Sequence, residues 1–450
     1  MELKRVLTLR TIVSMSAGLA LASSTFVAMV QVASFVAGES AWIAILVAGL
    51  LALTAAFSFG EMNGMYPSAA AIRVYLSKGY NDTLSLIISF LYILIILAVL
   101  GTEAFILSQA LAYAIPAIPA LAWNMALLVL VTALNLRGIT LAGKFQDVVT
   151  YGLVLSLIGT SLWAFTRPGF RLEALVHPGS FDGFLQAVAL GVFLYIGFEW
   201  VTPLSEEVTQ VRLVPKGMML ALGLLGVTYA LAITAFTGTV DKGLLSSVPI
   251  PQILFGEKLL GSPGILWMLL LSIAATTKTF NAGFTAASRF LYATAREGAL
   301  PGWFAKLHLR YFTPQNALLF LFVTVLFSTI AIHITKRYTL LLTTAAALES
   351  IVYVLVAVAV IRLRKKEPET PRPFKAPWVP WLPGFTALAF GFLAVGALLE
   401  DLWAAVVLLG TAGVVSLYTW KVVPVLRKKA EEERAQRRSS RRRRATDREM

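Results

Sequence analysis

Twelve apolar stretches dominate this 450-residue chain, at about 11–36, 41–65, 83–113, 119–136, 146–166, 182–204, 216–240, 262–294, 314–334, 338–363, 381–399 and 402–425. Each is near the roughly 20 residues that a helix needs to cross about 30 Å of hydrocarbon. Inside a bilayer every backbone polar group must be satisfied within its own segment, so stretches of this kind fold as helices. The division of 83–136 into two spans rests on the proline-containing breaker "AIPAIPA" at 114–120. Composition agrees, with 58% hydrophobic and 14% charged residues, where soluble domains run near about a quarter charged. The chain reads as an all-α integral membrane protein with twelve transmembrane helices.

The basic residues set its orientation, because cytoplasmic loops collect Lys and Arg. With both termini inside, the cytoplasmic segments hold 31 of the 38 basic residues and the outer loops hold six. The basic start (Lys4, Arg5, Arg10) leads into 28 uncharged residues, too long for the core of a cleaved signal peptide. Twelve Lys/Arg between Lys421 and Arg448 make a basic tail, most simply a solvated segment that reinforces topology. Without aromatic interleaving or a nucleic-acid-binding module, nucleic acid is not an expected partner. Cysteine is absent, and His177, His308 and His333 have no ligand spacing, so no metal site and no thiol chemistry is expected. Neither is an enzyme, since no nucleophile–base or metal-ligating cluster stands out.

Charges inside the spans carry most of the functional signal. Lys278 follows 19 uncharged residues and is followed by ten more; at the bilayer centre a lysine costs about 2.5–3.5 kcal/mol. Glu103, Glu199 and Glu349 interrupt the third, sixth and tenth spans. Such groups face a bundle interior or wet cavity and tend to pair. By depth the best match is Lys278 with Glu103, either as an outer gate or proton relay or as a static bridge between helices. Two spans have unusual centres. The first clusters small and hydroxyl residues at Ala22-Ser23-Ser24-Thr25, which suit either a break or a continuous, closely packed helix, and the sixth carries Gly197, Glu199 and Pro203 within seven residues. Helices interrupted at mid-membrane are the binding elements of transporters built on inverted repeats. Beyond the sixth span, Glu206, Glu207, Arg212 and Lys216 either form an ion-pair network with Arg289 and Arg296 or are the solvated charges of a loop.

Four stretches then resemble the APC-type permeases of the amino acid–polyamine–organocation superfamily: "FSFGEMNGMYPSAAAIRVYLSKGY" (57–80), "IGFEWVTPLSEEV" with "VPKG" (196–217), "NAGFTAASRFLYATAREGALPGWFAKLHLRYFTPQNAL" (281–318) and "RPFKAPWVPWLPG" (372–384). The resemblance implies a LeuT-like five-plus-five inverted repeat, with halves at 11–166 and 182–363, two extra helices at 381–425, a cytoplasmic N-terminus at 1–10 and the basic tail at 428–450. It implies a substrate site at Ala22, Ser23, Ser24 and Thr25 in the first helix, Phe193, Ile196 and Gly197 in the sixth, and Gly283 in the eighth. In the family the first-helix segment is usually Gly-Ser-Gly, whose amides hold a substrate carboxylate; here Ala22 and Ser24 replace both glycines. Gly283, standing where some members carry an aromatic residue, implies a roomier or different pocket. Several sodium-independent relatives place a lysine in the fifth helix where a sodium ion would sit. None is present in the fifth span here, which leaves a sodium site or another cation. Lys278 is the candidate, although it lies five residues, roughly 7–8 Å, to the outer side of Gly283.

The implied function is secondary transport of a small amino acid or related amine across the inner or plasma membrane. H+ or Na+ coupling and exchange are all open, and no cofactor is expected. Glu103, Glu199, Lys278 and Glu349 are the candidate gating or ion-coupling groups. A polyamine or organic-cation carrier is the alternative, and a non-transporting sensor or partner-dependent subunit a more distant one.

Overall fold

The apolar spans fold as helices, and two of them break where the sequence interrupts its apolar run. The computed structural model describes residues 3–35, 40–115, 117–171, 180–248 and 250–432; His177 and most of the basic tail lie outside them. In chain order the α-helices are α1 (Leu9–Ala20), α2 (Ser23–Phe35), α3 (Ala41–Met65), α4 (Ile72–Gly79), α5 (Asp82–Ala114), α6 (Ala120–Leu136), α7 (Ile139–Phe165), α8 (Phe181–Val192), α9 (Leu213–Thr239), α10 (Lys242–Ser246), α11 (Pro251–Leu260), α12 (Ser262–Arg296), α13 (Gln315–Thr335), α14 (Tyr338–Lys366), α15 (Trp381–Glu400) and α16 (Leu402–Lys421).

Among the described residues ten spans are long and apolar enough to cross a membrane, and α1 with α2 makes an eleventh, bent by 61°. The expected fourth span, α6, is apolar but only 17 residues long, so the structure supports eleven spans by length where the sequence predicts twelve. The protein is a multi-pass, all-helical membrane protein.

Helix α12 runs through the middle of the bundle, packed on α1, α5, α6, α7, α11 and α13. Its stretch from Ala275 to Ala295 is buried throughout, which is why its Lys, Asn, Thr and Arg side chains need partners inside the protein. Helices α15 and α16 lie at the periphery; only 17% of the α16 apolar window is buried, leaving Leu409, Val414 and Trp420 exposed as a surface suited to lipid.

One polar seam fixes the centre. Asn281 Nδ2 donates to Gln146 Oε1 (2.8 Å) and to the Ala142 carbonyl (3.0 Å), while Asn135 Nδ2 donates to Asn281 Oδ1 (2.9 Å). Gln146 also donates to the Ser14 carbonyl (3.2 Å). Through these bonds α12, α6 and α7 hold the first half of the broken first helix in place.

Candidate functional site

The first break is two residues long. Leu21 and Ala22 leave the helix between α1 and α2, freeing carbonyls at the end of α1 and amides at the start of α2. The sixth span breaks at Ile196 and Gly197, between short 3-10 turns at Phe193–Tyr195 and Phe198–Leu204. Gly197 has φ +103°, a region that costs an L-residue roughly 1–2 kcal/mol, and a Cβ there would lie 2.9 Å from Leu19. The two breaks therefore touch, with α1 packed against the second half of the sixth span.

Lys278 and Glu103 hold the two ends of the first break. The Lys278 ammonium donates to the Gly18 carbonyl at 2.9 Å and to the Leu21 carbonyl, and the Thr279 hydroxyl donates to Gly18 at 3.0 Å. The Glu103 carboxylate accepts from the Ser23 amide at 2.9 Å and the Ser24 amide at 3.3 Å. Cation on carbonyls and anion on amides is the arrangement that the helix dipole favours. The salt bridge expected between Lys278 and Glu103 is thus not formed: the unwound backbone offers each a closer partner, and their attraction acts at longer range.

A cavity of about 310 Å³ lies over the break, and Ala22, Ser24, Thr25, Phe193 and Ile196 all line it. It extends past Gln31 toward Tyr338, Thr339 and Glu400, at the start of α14 and the end of α15. Three residues from the sequence reading are placed elsewhere. Ser23 is buried beneath the lining, Gly197 packs on Leu19, and Gly283 is buried where a Cβ would meet Leu100 at 3.2 Å and Leu19 at 3.4 Å. The extra room expected at Gly283 is filled by those two leucines.

Glu199 and Glu349 sit together on the other side of the second break. Glu199 accepts from the hydroxyls of Tyr92 (2.9 Å) and Tyr353 (2.5 Å) and is fully buried. The Tyr92 ring stacks on Trp200 with centroids 3.9 Å apart. Glu349, also fully buried, faces Glu199 and the Trp200 indole, and neither of its oxygens has a hydrogen-bond partner among the described residues. Tyr92, Tyr353 and Trp200 are contacts that the sequence reading missed; aromatic residues in an apolar span give no signal until the fold brings them to a carboxylate.

The face of the protein where the chain enters α1 is closed by ion pairs. Glu61 takes Arg364 at 2.7 Å, Arg372 at 3.1 Å and the Ala376 amide at 2.7 Å. Glu207 takes the fully buried Arg289 at 2.9 Å, and Glu206 takes Arg296 at 2.6 Å. Burial pushes the Glu207 carboxyl above the usual range despite Arg289 beside it. The Glu207 carbonyl also accepts from the amides of Val6 and Leu7 at 2.9 Å each, tying the N-terminal segment under the bundle. The pairing of Glu206 and Glu207 with Arg296 and Arg289 follows the sequence reading, but Arg212 and Lys216 form no ion pair among the described residues. No group of three or more His, Asp or Glu suited to a metal ion occurs among them either.

Sequence comparison bears on this arrangement. The model of the amino acid permease family matches residues 7–417. The human large neutral amino acids transporter small subunit 2 is 28% identical over 270 residues, 55% of this chain and 47% of that protein. The methylthioribose transporter of Bacillus subtilis (strain 168) is 26% identical over 443 residues, 90% of this chain and 94% of that protein. A branched-chain amino acid permease of the same organism is 31% identical over 223 residues, 48% of this chain and 46% of that protein. The chain spans about half the length of the first and third of these relatives, and nearly all of the second.

Proposed function

This chain belongs to the amino acid permease family, and on that premise we propose that it is a secondary transporter, carrying a small amino acid or related amine by alternating access. The observation that carries the reading is the pair of touching helix breaks beneath a cavity of about 310 Å³, since irregular backbone at membrane depth is tolerated only where it is buried in protein or lines a cavity. The comparison with known proteins supports transport rather than catalysis. Both termini lie in the cytoplasm of a cell with this protein in its inner or plasma membrane. The cavity then opens to the outside, and the ion pairs of Glu61, Glu206 and Glu207 close the inner face.

The coupling ion is H+ rather than Na+. The α1 carbonyls that could bind a sodium ion are taken by Lys278 and Thr279, so the ammonium is a tethered replacement for it. Glu199 and Glu349 are both buried and face each other, and the groups around them are Tyr92, Tyr353 and Trp200, with no Lys or Arg paired to either among the described residues. That pair of carboxyl groups lies next to the sixth-span break and is the proposed coupling site.

Uptake into proteoliposomes of the purified protein tests the reading. The panel holds amino acids, their decarboxylated amines and methylthioribose, the last because the relative of that name matches most of this chain. Saturable uptake of a panel member, stimulated by an inward proton gradient and indifferent to sodium, is expected. Uptake that requires sodium would overturn the coupling assignment, and uptake of none would overturn transport of this substrate class.

A further inference from the structure

We propose that Glu103 is a built-in carboxylate filling the anion site of the broken first helix, so that the substrate binds above it without a free carboxylate. The proposal rests on the transporter reading and narrows its substrate to an amine.

The amides of Ser23 and Ser24 start α2, a 13-residue helix, and the start of a helix is a ready anion site. In this protein that site is occupied from within. Glu103 is 1% exposed, and one of its oxygens reaches the Ser23 amide at 2.9 Å while both lie 3.3 Å from the Ser24 amide. A ligand carboxylate aimed at the same amides would meet this buried negative charge at close range, where like charges repel strongly.

The cavity supplies a second, independent indication. Neither Lys nor Arg is among its described lining residues. Its polar groups are the hydroxyls of Ser24, Thr25, Tyr338, Thr339 and Thr343, the Gln31 amide and the Glu400 carboxylate. A ligand carboxylate would find no countercharge here, whereas an ammonium would find acceptors. Lys278 does not supply the missing cation, because it lies outside the lining and is engaged on the α1 carbonyls.

Affinity measured by thermal stabilisation of the purified full chain tests the proposal. The probes are the pairs L-leucine with 3-methylbutylamine and L-methionine with 3-(methylthio)propylamine. In the wild type the amine of at least one pair should bind about tenfold or more tightly than its amino acid, a difference of about 1.4 kcal/mol. Glu103→Ala, which empties the amide site, should shift that ratio toward the amino acid by about tenfold or more. Glu103→Gln, which keeps the shape and removes the charge, should shift it the same way by less. An amino acid that binds the wild type more tightly than its amine, with a ratio unmoved by either variant, would overturn the proposal. That outcome leaves the transporter reading standing, because it shows a substrate site of ordinary carboxylate-binding type.

Discussion

Lys278 and Glu103 illustrate what a residue can and cannot reveal before the backbone is known. Their presence in apolar spans marked them as engaged inside the protein, and their depths suggested a pair. Both are indeed fully buried, but each is held by backbone freed at Leu21 and Ala22, and no one-letter code shows where a helix releases its dipoles. Deleting one partner of a buried charge arrangement costs about 3–5 kcal/mol, so Lys278→Ala should lower thermal stability markedly. Its sharper consequence concerns sodium. With the Leu21 carbonyl vacated and Gly18 left with the Thr279 hydroxyl alone, sodium should raise the melting temperature of Lys278→Ala and leave that of the wild type unchanged; equal responses would argue against the ammonium as a sodium replacement. The carboxyl pair invites a kinetic test. Glu349→Gln fixes one member uncharged, and uptake by this variant should lose its response to an imposed proton gradient while retaining exchange between preloaded and external substrate.

At the scale of elements, the sixth-span break was legible because its residues contradict a continuous helix, whereas the small residues of the first span fit a continuous, closely packed helix equally well. Gly197, Glu199 and Pro203 cannot make an ordinary lipid-facing run, and small hydroxyl residues gather at the first break. The short connecting helices α4, α10 and α11 (eight, five and ten residues) were not predicted, being too short to show a membrane period. The polar seam of Asn135, Gln146 and Asn281 was also missed, since a lone amide in a span is as often satisfied locally as across helices. Helix packing gives two predictions of direction. Gly197→Ala combines a positive φ with a Cβ 2.9 Å from Leu19, so a loss of about 2 kcal/mol or more is expected, read as a lower melting temperature and weaker substrate binding. Gly264→Ala should be worse still. Its Cβ would sit 1.8 Å from the Gly256 carbonyl oxygen, and flexible side-chain movement cannot relieve a clash with backbone. Failure of either to lower the melting temperature would contradict the packing described.

For the whole molecule, the stretches that resembled one family turn out to meet one another. Glu61 from the second span receives Arg372 from the "RPFKAP" segment, and Glu207 from the sixth receives Arg289 from the eighth. Spacing along the chain could order these motifs but could not show which would touch. Together they close one face while the cavity opens toward the other. Breaking the buried Glu207–Arg289 pair with Glu207→Ala should cost about 3–5 kcal/mol and make that face more reactive to thiol labelling at a cysteine placed at Ser288. The raised carboxyl of Glu207 gives the pH dependence its sign. The folded state favours the protonated form, a stabilisation complete below the ordinary carboxyl value and lost as pH rises through the raised one. Glu207→Gln should therefore remove part of the loss of thermal stability on raising the pH. Solute transport past the two helix breaks is the proposal that unites these features. The most direct test is uptake by the wild-type protein in proteoliposomes with the panel of amino acids, amines and methylthioribose. Saturable accumulation driven by an inward proton gradient and unaffected by replacing sodium is the predicted result; flux no greater than that of protein-free liposomes for every member, from protein shown to be folded, would contradict it.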